Sequence, residues 1–110
     1  MKKDKIIIVE TTYPTLQDAK NLAKILLKQN LAACIQFQKI ESMYVWEKKI
    51  VKEKEILLRI KSKNSLYEKI KKIIKKNHKY SVPEILMIST QKADDEYAGW
   101  LENITLHEGK

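Results

Sequence analysis

The order of predicted elements indicates an α+β protein with a ferredoxin-like βαββαβ fold. Three observations predict it: an uninterrupted apolar run from Ile6 to Val9, two segments with helical apolar spacing, and two long extended runs between them that meet near Lys48 and Lys49. This order is typical of the split βαβ motif, a two-layer sandwich of helices on one sheet. We expect a single domain over residues 1–110, with an extended β-hairpin and a short C-terminal helix added to the sandwich.

The first strand is predicted over Lys5 to Thr12. Its isoleucines follow one another without alternation, which is typical of a strand that is buried on both faces and central in its sheet. Pro14 ends the strand because proline lacks an amide hydrogen. Thr15 then caps an amphipathic helix, with Asp18 three residues later, and this helix ends near Asn30.

The long hairpin is the feature that decides the shape. The run from Ala32 to Trp46 contains no Gly or Pro and is rich in residues that favour strands. Fully extended it would span about 50 Å, whereas a globule of this length has a radius of gyration of about 13 Å. The hairpin must therefore bend or overhang. Its apolar residues change parity near Gln38 and Lys39, which predicts a β-bulge at that point.

An overhanging hairpin also bears on assembly. It places Tyr44 and Trp46 near its tip and leaves strand edges that a soluble protein must cover or charge. We expect a second copy of the chain to cover them, so that the protein is a homo-oligomer. The alternative is a bent arm that lies on its own domain.

The C-terminal half supplies the remaining elements. A second helix is predicted from Asn64 or Ser65 to about Asn77, with its lysines facing solvent. Residues 78–84 form a turn into a last strand, Ile85 to Ser89. A short helix from Asp94 to about Thr105 follows it.

The charge and cysteine content limit the partners and the compartment. The net charge is +8, but the basic residues are nearly all Lys, with Arg59 as the single Arg, and Glu residues are interspersed among them. This pattern favours a solvated surface, so we expect neither a nucleic acid nor a membrane as partner. Cys34 is the single cysteine, and the apolar run near the start is too short for a secretory signal. We therefore expect a cytoplasmic protein.

Several motifs fall in the order and at the spacing seen in the CutA family, which the chain resembles from Ile6 to Glu102. They are TTYPTLQDAKNLAKILLKQNLAACI, ESMYVWEKKI, ILLRIKS, HKYSVPEI and EYAGWLE. The resemblance implies a ferredoxin-like fold, a homotrimer built through the long hairpins, and a role in tolerance to divalent cations, copper especially. It also implies a likeness to the trimeric PII signalling proteins, which bind small ligands between subunits.

The chain departs from the family pattern at several positions. Members commonly have Gly where Lys48 stands, and Pro-Gly where Gln38 and Lys39 stand. A non-Gly residue in a left-handed turn costs roughly 1 kcal/mol, so we expect a different turn at the hairpin tip. Some members have Cys where Thr11 stands and a second His where Asn77 stands. If those positions form a metal site, this chain has lost ligands.

Candidate metal ligands are few and dispersed. Copper and zinc favour thiolate and imidazole, which points to Cys34 and His78, with Glu84 as a carboxylate donor. We expect copper or another divalent cation as the cofactor, and we expect no organic cofactor. The first two strands of a split βαβ fold are parallel, so Cys34 lies at the end of the sheet opposite to His78 and could share a site with it only across subunits. The alternatives are a small buried apolar role for Cys34 and a helix-end role for His78.

A second candidate site lies near the hairpin tip. We expect a cleft between subunits that is lined chiefly by Tyr44, Trp46, Glu55, Lys61 and Tyr80. Further polar side chains are expected around it: Glu47, Arg59, His78 and Glu84. Aromatic walls with a few charges suit a small anionic ligand or a coordinated ion. The alternative is that the two tip aromatics are interface anchors with a charged rim.

Other functions of this fold lack their residues. RNA binding on the sheet needs aromatic residues on the central strands, and ILLRIKS has none. Acylphosphatase chemistry needs an Arg-bearing phosphate cradle after the first strand, and ETTYPTL has no Arg or Gly. No nucleophile and base stand together, so we expect no enzyme. Two hypotheses remain: a trimeric protein that binds divalent cations, and a PII-like ligand sensor or assembly module without physiological metal binding.

Overall fold

The computed structural model describes residues 4–107 and has the predicted ferredoxin-like fold. The elements are β1 (Ile6–Tyr13), α1 (Leu16–Lys28), β2 (Cys34–Trp46), β3 (Lys49–Lys63), α2 (Tyr67–Lys76), β4 (Leu86–Ser89) and α3 (Asp95–Ile104), with one 3-10 turn at Asn64–Leu66. Every predicted helix and strand is present, with bounds that differ by at most a few residues. Among these residues no helix is long and apolar enough to cross a membrane.

The sheet has four strands in the order β2-β3-β1-β4, and all neighbours are antiparallel. β1 is an inner strand and β2 an outer edge, as predicted. Because both pair antiparallel with β3, β1 and β2 run parallel to each other.

The core lies between one face of the sheet and the helices α1 and α2. It is formed by fully buried residues at alternate strand positions and at one stripe of each helix: Ile7, Val9, Tyr13, Leu22, Leu26, Leu58, Ile60, Ile70 and Ile74. Burial of one such aliphatic side chain contributes about 1.5–3 kcal/mol. On the opposite face of β1, Ile6 and Ile8 are only half-buried, so the predicted burial of both faces is incomplete.

Local signals set the helix ends. The Thr15 hydroxyl accepts a hydrogen bond from the Asp18 amide at 3.1 Å and caps α1. Asn30, with φ of 58°, turns the chain out of the helix, and the Leu31 amide bonds the Leu26 carbonyl at 2.9 Å. The Asp94 carboxylate caps α3 in the same way as Thr15 caps α1.

The prediction of a β-bulge in the hairpin is wrong. Pairing of β2 with β3 is continuous from Cys34↔Lys61 to Trp46↔Lys49, with no extra residue near Gln38 or Lys39. The apolar side chains change face for a different reason. β1 ends at the pair Tyr13↔Ile56, so beyond that point the hairpin has no helical layer beneath it and its side chains no longer face the core.

The hairpin overhangs the domain. The seven pairs from Ile40↔Glu55 to Trp46↔Lys49 lie beyond the end of β1 and extend about 23 Å at strand spacing. The molecule measures 49 × 26 × 21 Å. Val45 and Ile50 face each other across the tip, 69% and 76% exposed.

The tip keeps the left-handed turn that we expected it to avoid. Glu47 and Lys48 have φ of 50° and 66° and form a two-residue turn between the strands. Two-residue hairpin loops of this kind match the twist of the flanking strands, which is why they favour Gly. The expectation of another turn was therefore wrong, and the chain carries the strain of two side chains at positive φ.

Candidate functional site

A cleft of about 630 Å³ lies where the loop after α2 crosses the base of the overhanging hairpin. It is lined by residues of β1, both hairpin strands and the loop: Thr12, Ser42, Met43, Tyr44, Trp46, Val51, Glu53, Glu55, Tyr80, Ser81, Val82 and Glu84. We call it the acidic cleft, because three of these side chains are carboxylates and none is basic.

Tyr80 and Glu55 form the floor of the acidic cleft. Glu55 is 7% exposed, and its Oε2 accepts a hydrogen bond from the Tyr80 hydroxyl at 2.8 Å. Burial, and then this bond to a carboxylate, raise the pKa of Tyr80. The phenol therefore stays protonated and holds the carboxylate in place.

Tyr44 and Glu53 form a second pair on the hairpin. They lie on the same face of its two strands, and the Tyr44 hydroxyl donates to the Glu53 carboxylate. That hydrogen bond is the main cause that raises the pKa of Tyr44 to about 12.

His78 holds the loop that carries Tyr80. Its Nε2 donates to the Thr12 carbonyl at 2.6 Å, and its Nδ1 accepts from the Tyr80 amide at 3.1 Å. Its ring stacks on Tyr13 at 4.1 Å between centroids. Burial lowers the pKa of His78, although the Thr12 carbonyl and nearby carboxylates oppose the shift. Both ring nitrogens are thus occupied in a neutral imidazole.

Glu84 adds to the negative charge at the rim. Burial raises the pKa of its carboxyl, and the charges of Glu10 and Glu55 raise it further. Glu10 is paired with Arg59, whose Nε lies 3.3 Å from its Oε2. The arginine therefore compensates the charge of Glu10, its cross-strand partner on the neighbouring inner strand, and does not line the cleft.

The three predicted metal ligands do not lie together. Cys34 is half-buried and level with Ile8 in the sheet, whereas His78 bonds Thr12, four residues further along β1, about 13 Å at strand spacing. Glu84 lies at the same end of the sheet as His78, because it lines the cleft together with Thr12. Within residues 4–107 no group of three or more His, Cys, Asp or Glu side chains is arranged to hold a metal ion.

Four of the five residues predicted for the second site line one cleft within a single protomer, and a position of this cleft between subunits stays a prediction. Tyr44, Trp46, Glu55 and Tyr80 all line the acidic cleft. Lys61 does not, because it pairs with Cys34 in the sheet and its Nζ lies 5.8 Å from the Tyr97 ring centroid of α3. Without Lys61 the cleft lacks the positive charge that an anionic ligand requires.

Sequence reasoning missed Glu53, Ser42 and the loop residues Ser81 and Val82. A signal for Glu53 was available, because it shares strand parity with Glu55 and therefore lies on the same face. No local pattern marks the loop residues, since their position depends on the loop crossing a hairpin that precedes them by about thirty residues.

These features define a ferredoxin-like protein with an overhanging hairpin and an acidic, aromatic cleft at its base. The comparisons with known proteins agree with that description. The profile of the family "CutA1 divalent ion tolerance protein" matches residues 7–104. The chain belongs to this family, as its motifs predict. The family description names a tolerance to divalent ions and no reaction.

Individual relatives cover nearly the whole chain. The divalent-cation tolerance protein CutA of Pyrococcus horikoshii is 38% identical over 96 residues, 87% of this chain and 94% of that protein. The chloroplastic protein CutA of Arabidopsis thaliana is 38% identical over 100 residues, 90% of this chain and 55% of that longer protein. The crystal structure of CutA1 from Oryza sativa superposes with a TM-score of 0.90 at 36% identity, covering 96% of this chain and 97% of that one.

Proposed function

We propose that the protein is a homotrimer that acts in divalent-cation tolerance, with copper among the cations, and that it catalyses no reaction. The family and the printed names of its relatives support the link to divalent cations. We also propose a cytoplasmic location, supported by the single cysteine, Cys34. Its partner is a second copy of itself, and neither nucleic acid nor membrane.

The exposed hairpin supports the self-association. Met43, Val45 and Ile50 are each about two-thirds exposed or more, at 68%, 69% and 76%. The outer edge of β2 is also unpaired within the described chain. Apolar side chains beside an unpaired edge mark an interface in soluble proteins. Neighbouring copies that pack against the hairpins would cover both the exposed apolar side chains and the unpaired edge of β2.

The family match carries the proposal that divalent cations are involved, and the separation of Cys34 from His78 and Glu84 limits where a metal site can form. A copper or zinc site needs several donors within roughly 2.0–2.3 Å of the ion. Within one protomer the Cys34 thiol lies too far from His78 and Glu84 for these side chains to bind the same ion. The site therefore needs donors from more than one subunit, and His78 contributes only if it releases the Thr12 carbonyl or the Tyr80 amide.

Native mass spectrometry of the full-length chain tests this proposal. We expect a trimer that takes up Cu(I) or Zn(II) in integer steps, and that loses this uptake in Cys34→Ser. His107→Ala is the matched control, because it removes an exposed imidazole outside the proposed donor set. Undiminished uptake by Cys34→Ser would overturn the role of that thiol.

A second candidate function is a PII-like small-ligand sensor. The observation that favours it is the volume of the acidic cleft, about 630 Å³. Pockets for small organic molecules occupy about 300–1,000 Å³, whereas a bare metal ion needs far less room. Here Tyr80→Ala would abolish ligand binding and leave metal uptake unchanged, the opposite of the pattern expected for Cys34→Ser.

A further inference from the structure

We propose that the solvent side of the two core helices is a docking surface for an acidic segment of a partner protein. α1 and α2 bury their apolar stripes in one core on the same side of the sheet and contact each other, so their outer sides form one surface. We call it the lysine face. It consists of six exposed side chains: Lys20, Lys24, Lys28, Lys72, Lys75 and Lys76.

Most of the net charge of the chain lies in this helical layer. Residues 14–30 and 64–79 contain nine lysines and two acidic residues, so they carry +7 of the net +8 of the chain. Glu and Lys are interspersed instead on the hairpin, as in the run from Glu47 to Glu55. Charges that alternate along part of the sequence are therefore separated in space by the fold. A surface of one sign attracts partners of the opposite sign and favours them over others.

The two acids of the helical layer are already paired. Asp18 lies 3.2 Å from the Lys79 ammonium group, and Glu68 lies 3.8 Å from that of Lys71. Within residues 4–107 no ion pair is described for any residue of the lysine face. The positive charge of this face is thus uncompensated in the described part of the protomer.

The spacing of the lysines is a second observation that points to an anionic partner. Lys20, Lys24 and Lys28 follow one another at four-residue intervals, where side chains are neighbours on a helix and like charges destabilise it. The negative end of the helix dipole favours lysine in the last turn only, which accounts for Lys28. It does not account for Lys20, Lys24 or Lys72, which lie further from the helix ends. An arrangement that lowers stability without a benefit inside the protomer is typical of a functional surface.

The spacing also fits carboxylates on a protein chain. Four residues of a helix rise about 6 Å. Alternate side chains of an extended peptide lie about 6.6 Å apart on one side. A segment with Glu or Asp at every second position therefore places one carboxylate near each lysine of the α1 row. A bound segment of this kind would remove the repulsion between the lysines.

The residue types favour such a segment over a nucleic acid. Arginine provides the bidentate contacts to phosphate, and aromatic side chains stack on bases. The lysine face contains neither. The single Arg of the chain, Arg59, pairs with Glu10 on the opposite side of the sheet from the helices.

The lysine face is accessible in the proposed trimer. The interface proposed above consists of the hairpin and the outer edge of β2. The lysine face points away from the sheet, because the core lies between the sheet and the helices. Its residues belong to neither part of that interface.

Fluorescence anisotropy of a labelled peptide of alternating Glu and Ser tests the inference on the full-length protein. The peptide is long enough to span α1, about 20 Å, and the salt concentration is about 0.15 M, where weak long-range attraction is screened. We expect saturable binding that the double variant Lys24→Gln, Lys72→Gln weakens about threefold to tenfold. Glutamine keeps the helix propensity of lysine, so circular dichroism and native mass should match the wild type.

The matched control is the double variant Lys5→Gln, Lys92→Gln. It removes the same charge from exposed positions outside the helices and should leave binding unchanged. Equal weakening by this control would show attraction to the net charge alone and would overturn the inference. Tighter binding of a single-stranded oligonucleotide of the same charge would assign the face to nucleic acid instead. Absence of saturable binding by the folded trimer would mean that the lysines are only solvated.

Discussion

The Tyr80 hydroxyl lies 2.8 Å from Glu55 Oε2, and this bond joins the loop after α2 to the β3 arm of the hairpin. Two residues earlier, His78 joins the same loop to the end of β1 through the Thr12 carbonyl. The sheet end, the loop and the hairpin base are therefore connected by one part-buried polar network. Such networks are costly to break in part, because each remaining group is left without its partner.

Loss of the Tyr80 hydroxyl should destabilise the fold. In Tyr80→Phe the buried Glu55 carboxylate loses its donor, which we expect to lower the free energy of unfolding by about 1–3 kcal/mol. Urea denaturation at pH 7 measures it. Tyr67→Phe is the control, because no hydrogen bond of the Tyr67 hydroxyl is described within residues 4–107. Equal effects of the two changes would contradict the role of the Tyr80 bond.

Acid should weaken the His78 contacts. The pKa of His78 is lowered in the folded protein, so as pH falls below the ordinary value of 6.5 the unfolded chain takes up a proton before the folded one. Stability should therefore fall across this window as the pH decreases. The raised pKa of Glu84 acts in the opposite direction, because protonation above 4.5 favours the folded state.

His78→Gln separates the two effects. Glutamine can donate to the Thr12 carbonyl and accept from the Tyr80 amide without titrating. Urea midpoints measured from pH 7.5 to pH 5 should fall less steeply with acid in this variant than in the wild type. His107→Gln should keep the wild-type slope, since His107 is exposed. An unchanged slope in His78→Gln would exclude His78 as the source.

A glycine at the hairpin tip should stabilise the protein. Lys48 has φ of 66°, a region that costs a side-chain-bearing residue about 1–2 kcal/mol and costs glycine little. After the greater entropy loss of glycine, Lys48→Gly should gain a few tenths to about 1 kcal/mol in urea denaturation. Lys49→Gly, one residue later in β3, should lose about 0.5–1 kcal/mol instead. A loss in both would mean that the turn is not strained.

Local sequence patterns were enough to predict the helices and strands, but they did not predict the long-range contacts. The Thr15 cap and the apolar stripe of α1 lie within a few residues of one another, so the sequence displays them directly. The bulge prediction failed because strand parity was judged against one continuous core, which ends at Ile56. The bond between His78 and Thr12 spans 66 residues and leaves no local signal. The place of Lys61 beside Cys34, away from the cleft of the same protomer, follows from the hairpin register, which no local pattern displays.

The apolar tip should control assembly. Val45 and Ile50 are cross-strand partners, so Val45→Glu combined with Ile50→Lys replaces an apolar pair by an opposite-charge pair that the hairpin itself tolerates. We expect this variant to shift sedimentation equilibrium from trimer to monomer. The control is the exchange of Glu41 and Lys54, a cross-strand pair that already carries opposite charges. A trimer that persists in the tip variant would remove the tip from the interface.

Native mass spectrometry of the full-length protein, without metal and with stoichiometric Cu(I), Cu(II) or Zn(II), tests the central claim most directly. The chain has a mass of 12.9 kDa, so the account predicts a species of three times that mass that takes up ions in integer steps, while any monomer in the same spectrum takes up none. A monomer that binds copper by itself, or a trimer that takes up no ion, would contradict the claim that the donors converge only between subunits.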